Sequence, residues 1–164
     1  MKADFVIGID PDTKQNGYAM IDMATGNISV CTATLPVLLD MVDVIQSTAL
    51  ATGKKLVVYV EAGWINQPNW HLDWRDSKER AAAKGKSLGR NHQRGMDIVE
   101  LLRYKGIKVE AVRPLEKRWK GDDRKITHEE LVRIVGDVKH TNQEGRDAAL
   151  LAWCHKDTPM ELST

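Results

Sequence analysis

The most informative stretch of the sequence is FVIGIDP, residues 5–11, an apolar run that ends in a carboxylate and a proline. A continuous apolar run of this length predicts a buried strand. A second run, LVVYVE over residues 56–61, has the same form and ends in Glu61. A carboxylate that leaves a core strand is unfavourable to bury unless something neutralises it. Asp10 and Glu61 are therefore the first candidates for a functional site.

Two further carboxylates stand at the start of the last apolar segment, NQEGRDAALLA over residues 142–152. Glu144 and Asp147 are three residues apart, so on a helix they share one face, near the positive end of its dipole. Ligands of open α/β sheets gather outside the carboxyl ends of the strands. If the strands that end in Asp10 and Glu61 are neighbours, a helix packed on the sheet brings all four carboxylates together.

Four convergent carboxylates do not all stay ionised without cations, because like charges raise one another's pKa. Carboxylate oxygens suit Mg²⁺ or Mn²⁺ rather than zinc. The pattern therefore predicts a site for two such ions, which would activate water for phosphodiester hydrolysis. Simpler interpretations stay open for each residue: Asp10 as a turn former before proline, Glu61 paired with an arginine, and Glu144 with Asp147 as favourable charges at a helix start.

The coarse order of elements is β-β-β-α-β-α-β-α-α. Thr127 and Glu130 form a predicted capping box at the start of the third helix. The pattern predicts an α/β fold, a mixed five-stranded sheet built of a three-strand antiparallel meander plus parallel strands, with helices on both faces. The expected strands cover 4–10, 18–22, 28–34, 56–60 and 107–112, and the expected helices cover 36–53, 79–104, 128–136 and 142–155.

Length and composition indicate an ordinary soluble protein. A chain of 164 residues predicts a single domain over 1–164. No apolar stretch approaches the roughly 20 residues that span a bilayer, and the start of the chain lacks a signal-peptide pattern. Cys31 and Cys154 fit no metal-binding spacing and are predicted to be buried, reduced thiols. We expect a cytoplasmic protein with no membrane contact and no small-molecule cofactor.

The net charge of +1 hides an uneven distribution. Residues 75–125 hold 16 Lys and Arg against 8 Asp and Glu, whereas the rest of the chain holds 8 against 15. A basic segment beside an acidic cluster suits contact with phosphates, although a solvated charged helix is an equally simple interpretation. The candidate phosphate contacts at the start of the long helix are Arg75, Lys78, Arg80, Lys84, Lys86, Arg90 and Arg94.

Several motifs, in order along nearly the whole chain, carry a family resemblance. They are GIDP at 8–11 followed by GYA at 17–19, Glu61 after a strand, KSLG at 86–89, Pro114 with Lys117 and Lys125, and EGRDAAL at 144–150. The ordered set resembles RuvC-type Holliday-junction resolvases of the RNase H-like superfamily, although no single motif is strong.

The resemblance implies an RNase H-like fold and a homodimeric endonuclease that nicks four-way DNA junctions with Mg²⁺ or Mn²⁺. It implies Asp10, Glu61, Glu144 and Asp147 as metal ligands and catalytic residues. It also implies Lys125 as a catalytic contact to phosphate, with Lys117 in a similar role that Arg118 or Lys120 could fill instead.

The chain departs from the family pattern at two acidic positions and in one segment. Asp12 stands where glycine is usual and adds a carboxylate near the site, and Glu144 stands where aspartate is commoner. The segment after Glu61 is long and rich in tryptophan. Trp64, three residues after Glu61, is hypothesised to wedge into the opened junction, and the alternative is that it anchors a loop onto the core. The roles of Trp70 and Trp74 stay open.

Three functions from different classes remain compatible with the sequence. The first is the junction-resolving DNA endonuclease. The second is a nuclease of the same fold that acts on RNA or on other branched DNA. The third is a non-catalytic module that binds branched DNA, which predicts binding without cleavage in any divalent metal.

Overall fold

The computed structural model describes residues 1–65 and 75–161. Two short 3-10 turns, Gly63–Ile65 and Asp122–Arg124, stand between the regular elements. The strands are β1 (Phe5–Asp10), β2 (Asn16–Asp22), β3 (Ile28–Ala33), β4 (Leu56–Glu61) and β5 (Val109–Val112). The helices are α1 (Leu35–Ala51), α2 (Lys78–Tyr104), α3 (His128–Val135) and α4 (Gln143–His155).

The five strands form one mixed sheet in the order β3-β2-β1-β4-β5. β1, β2 and β3 are antiparallel neighbours, which is the predicted meander. β4 pairs parallel with β1, and β5 pairs parallel with β4. The predicted architecture, a mixed five-stranded α/β sheet with a three-strand antiparallel meander plus parallel strands, is confirmed.

Helices cover both faces of the sheet, and the alternation of side chains along β1 assigns each residue to a face. Phe5, Ile7 and Ile9 pack in the core beneath α1 and the end of α2. Val6 packs in the second core, beneath α3 and α4. Gly8 continues the Val6 side, so the side chain of Asp10 belongs to the α4 face.

Helix α4 lies unusually close to the sheet because two glycines face it. A Cβ at Gly8 would collide with the backbone of Ala148, and a Cβ at Gly17 would collide with the backbone carbonyl of Glu144. Overpacking of this kind typically destabilises a protein by about 1–3 kcal/mol. Gly8 in β1 and Gly17 in β2 therefore allow the short distance between the sheet and the first turns of α4.

Helix α2 is supported only along its last part. Its buried residues are Gly95, Ile98, Val99 and Leu102. The preceding stretch, 78–94, has no buried residue and is mostly exposed. The basic half of the long helix therefore presents its side chains to solvent.

One sequence prediction about the core is wrong. Cys31 and Cys154 are both free thiols, but both are exposed rather than buried. Cys31 lies in the edge strand β3, which has a neighbouring strand on one side only, and its side chain is exposed there. In the described part of the chain, no helix combines the length and apolar character that crossing a bilayer requires.

Candidate active site

The parallel pairing of β1 with β4 brings two carboxylates to the same edge of the sheet. Ile9 lies opposite Val60, so Asp10 and Glu61 follow at the same level, where both strands end. Both side chains belong to the face that α4 covers, since they continue the alternation of Gly8 in β1 and Tyr59 in β4. The strand pairing thus satisfies the first condition that the sequence set for a shared site.

The third carboxylate comes from α4. Asp147 lies one turn into this helix, whose amino end is capped by the Asn142 side chain, and the close approach of α4 to the sheet brings it to the ends of β1 and β4. Asp10, Glu61 and Asp147 line one cavity of about 120 Å³, which has room for several water molecules. We call it the carboxylate cavity.

Two lysines from the loop between β5 and α3 bring positive charge to the lining of the carboxylate cavity, and the exposed Glu116 of the same loop also lines it. Lys125 places its Nζ atom 3.9 Å from Oδ2 of Asp147. Lys117 lines the same cavity. Of the three neighbouring cations that the sequence offered for this role, Lys117 therefore reaches the cavity, whereas Arg118 stacks its guanidinium over the ring of Trp119, with 5.5 Å between Cζ and the ring centroid.

A tight turn holds Lys125 in place. The backbone N–H of Lys125 donates to the carbonyl of Asp122, and its carbonyl accepts from the N–H of Gly121. Asp123 and Arg124 take the left-handed conformation with φ of 52° and 60°. Non-glycine residues rarely adopt this conformation, and pairs of them mark a turn that its surroundings fix.

The electrostatics of the carboxylate cavity are unfavourable to three ionised carboxylates. Burial raises the pKa of Asp10 well above its usual range, and the charges of Glu61 and Asp147 raise it further, while Lys125 lowers it. Burial and then the charge of Asp147 raise the pKa of Glu61. Burial also raises the pKa of Asp147, against the opposing effects of a hydrogen bond from Gln143 and of Lys125. The lysines compensate these carboxylates only in part.

The donor chemistry of the carboxylate cavity fits a hard divalent cation. Asp10, Glu61 and Asp147 offer only oxygen ligands, and a divalent cation would relieve the mutual repulsion that raises their pKa values. Among residues 1–65 and 75–161, however, no three His, Cys, Asp or Glu side chains already stand together as a complete ligand cluster. Asp10, Glu61 and Asp147 are the residues that would hold such an ion, with water filling the other positions, as is usual for Mg²⁺.

The two remaining acidic candidates, Glu144 and Asp12, do not line the carboxylate cavity. Glu144 is half-buried and does not line it, and its charge raises the pKa of Asp10 less than those of Glu61 and Asp147 do. Asp12, which the sequence placed near the site, forms a turn instead. One of its carboxylate oxygens accepts the backbone N–H groups of Lys14 and Gln15, at 2.8 and 3.3 Å.

Besides Glu116, the structure adds three side chains that sequence reasoning missed. Trp119 lines the carboxylate cavity, Gln143 donates a hydrogen bond to Asp147, and Arg146 donates one to Gln143. The spacing of Gln143, four residues before Asp147 on one helix, is a signal that the sequence did contain, since Gln–Asp pairs at this spacing interact. Trp119 stands in an irregular loop and had no comparable signal.

The predicted phosphate contacts of α2 lie on an exposed surface that is separate from the carboxylate cavity. None of them, as far as the described chain shows, lines that cavity. Lys84 forms an ion pair with Asp76, at 63% exposure of the lysine side chain. The members of this basic surface are exposed, and they are Arg75, Lys78, Arg80, Lys84, Lys86 and Arg90. Lys120, the last basic candidate, is exposed, and its backbone N–H donates to Glu130.

Trp64 packs inward rather than projecting into solvent. It is half-buried against the core beneath α1 and α2. Its ring fills the space beside Gly95, where a Cβ would collide with it. This packing favours the anchoring interpretation of Trp64 over the wedge. Trp70 and Trp74 lie outside the described residues.

Comparisons of the sequence with protein-family models and with curated proteins find no match. Comparison of the structure finds RuvC of T. thermophilus in complex with a Holliday junction substrate, at 15% identity and a TM-score of 0.47, over 92% of both chains. A further Thermus thermophilus RuvC structure aligns over 92% of both chains at 15% identity and a TM-score of 0.43. Both are likenesses of the chain trace at low sequence identity.

Proposed function

We propose that this protein is a divalent-metal-dependent endonuclease that cuts four-way DNA junctions. The observation that carries the proposal is the carboxylate cavity, where acids from β1, β4 and α4 meet with pKa values raised by burial and mutual repulsion. Buried acids with strongly perturbed pKa values in a cleft are typical of functional sites. The order of the sequence motifs, which resembles the RuvC type, points to the same chemistry.

Three acids and two lysines of the carboxylate cavity have roles in this proposal. Asp10, Glu61 and Asp147 would hold one or two Mg²⁺ or Mn²⁺ ions, and Glu144, which does not line the cavity, would join them. Such ions supply a water activated for attack and stabilise charge on the phosphate. Lys125 would place its ammonium group against a phosphate oxygen and stabilise the charge that develops there. Lys117, more exposed at the rim, would contact the neighbouring phosphate.

The basic surface of α2 is proposed to bind the arms of the DNA. Residues 78–94 include six Lys and Arg and one Glu, and this stretch of the helix has no buried residue. Each phosphate contact that is lost should reduce the slope of log affinity against log salt by about 0.9. Replacing Lys78, Lys86 and Arg90 with alanine should therefore flatten the salt dependence of junction binding, whereas Lys54→Ala, at the opposite end of the sheet, should leave it unchanged.

The homodimer that the family resemblance implies remains a proposal. A symmetric junction presents two equivalent strands, and two copies related by a twofold axis would place one carboxylate cavity at each. Sedimentation of the protein alone and with a junction measures this directly. A single protomer on the junction that nevertheless cuts both strands would contradict it.

The wedge role of Trp64 can be tested separately from cleavage. Trp64→Phe should keep most of the packing beside Gly95, so a junction labelled with 2-aminopurine should report the same opening as with the wild type if the ring only anchors the loop. If Trp64→Phe is as stable as the wild type but no longer produces the 2-aminopurine fluorescence change, the wedge hypothesis for Trp64 is favoured instead.

One experiment tests the proposed function. The purified chain is incubated with a labelled mobile four-way junction, a linear duplex and a structured RNA, in Mg²⁺ or Mn²⁺ and then in EDTA. We expect paired nicks in the junction that EDTA stops, and little cleavage of the other two substrates. Preferred cleavage of the RNA would assign the site to RNA processing. Tight junction binding without cleavage in any divalent metal would make the protein a binding module.

A further inference from the structure

Behind the Asp147 carboxylate lies a side-chain amide that is held at both ends. Nε2 of Gln143 donates to Oδ1 of Asp147 at 2.8 Å. Oε1 of Gln143 accepts from Nη2 of Arg146 at 3.0 Å. Because a guanidinium only donates hydrogen bonds, it fixes which end of the amide faces it. The NH₂ group of Gln143 is therefore turned toward Asp147.

Arg146 connects the two chain segments that carry the charged groups of the carboxylate cavity. Its Nη1 donates to the carbonyl of Thr141 at 2.6 Å, just before α4. Its Nε donates to the carbonyl of Ile126 at 3.1 Å, the residue after Lys125. Gln143 Nε2 lies 3.3 Å from the same Ile126 carbonyl. A rigid, planar fork of donors suits such simultaneous contacts in a way that a lysine does not.

These contacts make the two oxygens of Asp147 different. Gln143 occupies Oδ1, from within the same helix. Oδ2 is the oxygen that faces Lys125 across the carboxylate cavity, at 3.9 Å. The hydrogen bond from Gln143 therefore restricts the rotation of the carboxylate and leaves Oδ2 directed at the site.

We propose that Gln143 and Arg146 are positioning residues that fix Asp147 and the Lys125 segment relative to each other. In this arrangement Asp147 would present Oδ2 to a divalent cation. Lys125 would stay within reach of the substrate phosphate that it is proposed to contact. The inference rests on the proposed function. Partners of this kind, one shell behind the ligands, typically change metal affinity or activity by about 10–100-fold when removed.

The chain contains a matched control for Gln143. Gln93 donates to Asp97 on α2 at 2.7 Å, with the same i, i+4 spacing, on the exposed helix surface. Gln143→Met and Gln93→Met remove the same kind of pair at two places. A loss of Mn²⁺ affinity that both variants share reflects the removal of any Gln–Asp pair from a helix. A loss of Mn²⁺ affinity in Gln143→Met alone reflects the carboxylate cavity.

The test measures Mn²⁺ binding to the full chain by calorimetry, together with junction cleavage as a function of Mn²⁺ concentration. We expect Gln143→Met to weaken Mn²⁺ binding by about 10–100-fold, with cleavage that recovers in part at high Mn²⁺, and Gln93→Met to bind Mn²⁺ as the wild type does. Arg146→Lys should act in the same direction as Gln143→Met. If Arg146→Lys does not fold, Gln143→Met decides the test.

The two proposals fail in distinguishable ways. If the wild type binds no Mn²⁺ and cuts no junction, the proposed function fails and the inference with it. If the wild type binds Mn²⁺ and cuts, while Gln143→Met binds and cuts equally well, the positioning role is overturned and the proposed function stands.

Discussion

The carboxylate of Glu130 and those of Asp10 and Glu61 have opposite surroundings, which shift their pKa values in opposite directions. Glu130, at the start of α3, accepts hydrogen bonds from the backbone N–H of Thr127 at 3.0 Å and from that of Lys120 at 3.2 Å. The bond from Thr127, above all, lowers the pKa of Glu130 below its usual value. Asp10 and Glu61 lie in the carboxylate cavity, where burial raises their pKa values.

The contrast separates an acid that the fold satisfies from acids that we propose to bind a cation. The capping box at Thr127 satisfies Glu130 within the protein, so the charge of this residue needs no further partner. The acids of the carboxylate cavity repel one another, and Lys125 and Lys117 offset that repulsion only in part. Buried charge that the protein leaves incompletely compensated is what a site for an external cation requires. The predictions below test that distinction.

The largest expected effect is on cleavage. Asp10→Asn removes the most strongly perturbed acid of the carboxylate cavity while it preserves the size of the side chain. Because it removes a proposed ligand rather than a partner behind one, it should reduce junction cleavage in Mg²⁺ by more than about 100-fold, the upper range for outer partners. Junction binding should persist, and both are measured on the same labelled junction.

A carboxylate on the other face of the sheet provides the control. Asp43 pairs with Lys105 at 2.7 Å, between α1 and the end of α2. Asp43→Asn should cut at the wild-type rate. Full activity of Asp10→Asn with Mg²⁺ present would show that the carboxylate cavity is not the catalytic site.

A smaller effect, on the free energy of unfolding and on Mn²⁺ binding, is expected when a substitution pushes α4 away from the sheet. Gly17→Ala places a Cβ against the carbonyl of Glu144, so it should lower the free energy of unfolding by about 1–3 kcal/mol and weaken Mn²⁺ binding. Gly85→Ala is the matched substitution, because nothing lies within 4 Å of its added Cβ. In a helix this change should stabilise by about 0.5–1 kcal/mol. Urea unfolding measures both, and equal stability of the two variants would mean that α4 does not depend on the contact.

The sequence predicted the backbone of this arrangement because its signals were local and repetitive. Apolar runs that end in Asp10 and Glu61 placed β1 and β4, and the capping box placed the start of α3. Asn142 marked the start of α4. Because β1 and β4 pair in parallel, their carboxyl ends lie side by side, and Asp10 and Glu61 converge without any shared motif.

Features that depend on tertiary contact were beyond the sequence. The residue types at 123 and 124 did not predict that Asp123 and Arg124 adopt left-handed conformations, which set the position of Lys125. Asp12 could not be distinguished from a site acid until its bonds to the turn were visible. Asp12 and Asp10 are two residues apart and have opposite surroundings, a turn that Asp12 caps and the carboxylate cavity that Asp10 lines, and the motif that contains both does not reveal this difference.

The third prediction concerns stability without metal. Since the folded pKa of Asp10 is raised, the folded chain holds a proton there more tightly than the unfolded chain does, and stability falls as pH rises from about 4 toward the raised value. At pH 7 in EDTA, Asp10→Asn should therefore melt higher than the wild type, by at least about 2 °C, the shift that roughly 1 kcal/mol produces in a domain of this size. Thermal melting from pH 4 to 8 measures the difference.

Divalent metal should reverse that order. Mg²⁺ or Mn²⁺ should raise the melting temperature of the wild type at pH 7 and leave Asp10→Asn nearly unchanged, because a ligand stabilises only the fold that binds it. A wild type that melts higher than Asp10→Asn in EDTA would contradict the claim that the charge of Asp10 is uncompensated.

The smallest effect, and the one of opposite sign, is expected at Glu130. Its folded pKa is lowered, so its stabilising contribution is complete above the unfolded value near 4 and disappears as pH falls through the folded value. Glu130→Gln keeps an acceptor for the N–H of Thr127 but loses the charge at the helix start. It should therefore melt slightly below the wild type at pH 7, and the two should converge at low pH, with no response to EDTA. A Glu130→Gln variant that melts higher than the wild type, as Asp10→Asn is expected to do in EDTA, would erase the distinction between the acid that the fold satisfies and the acids that it leaves for a cation.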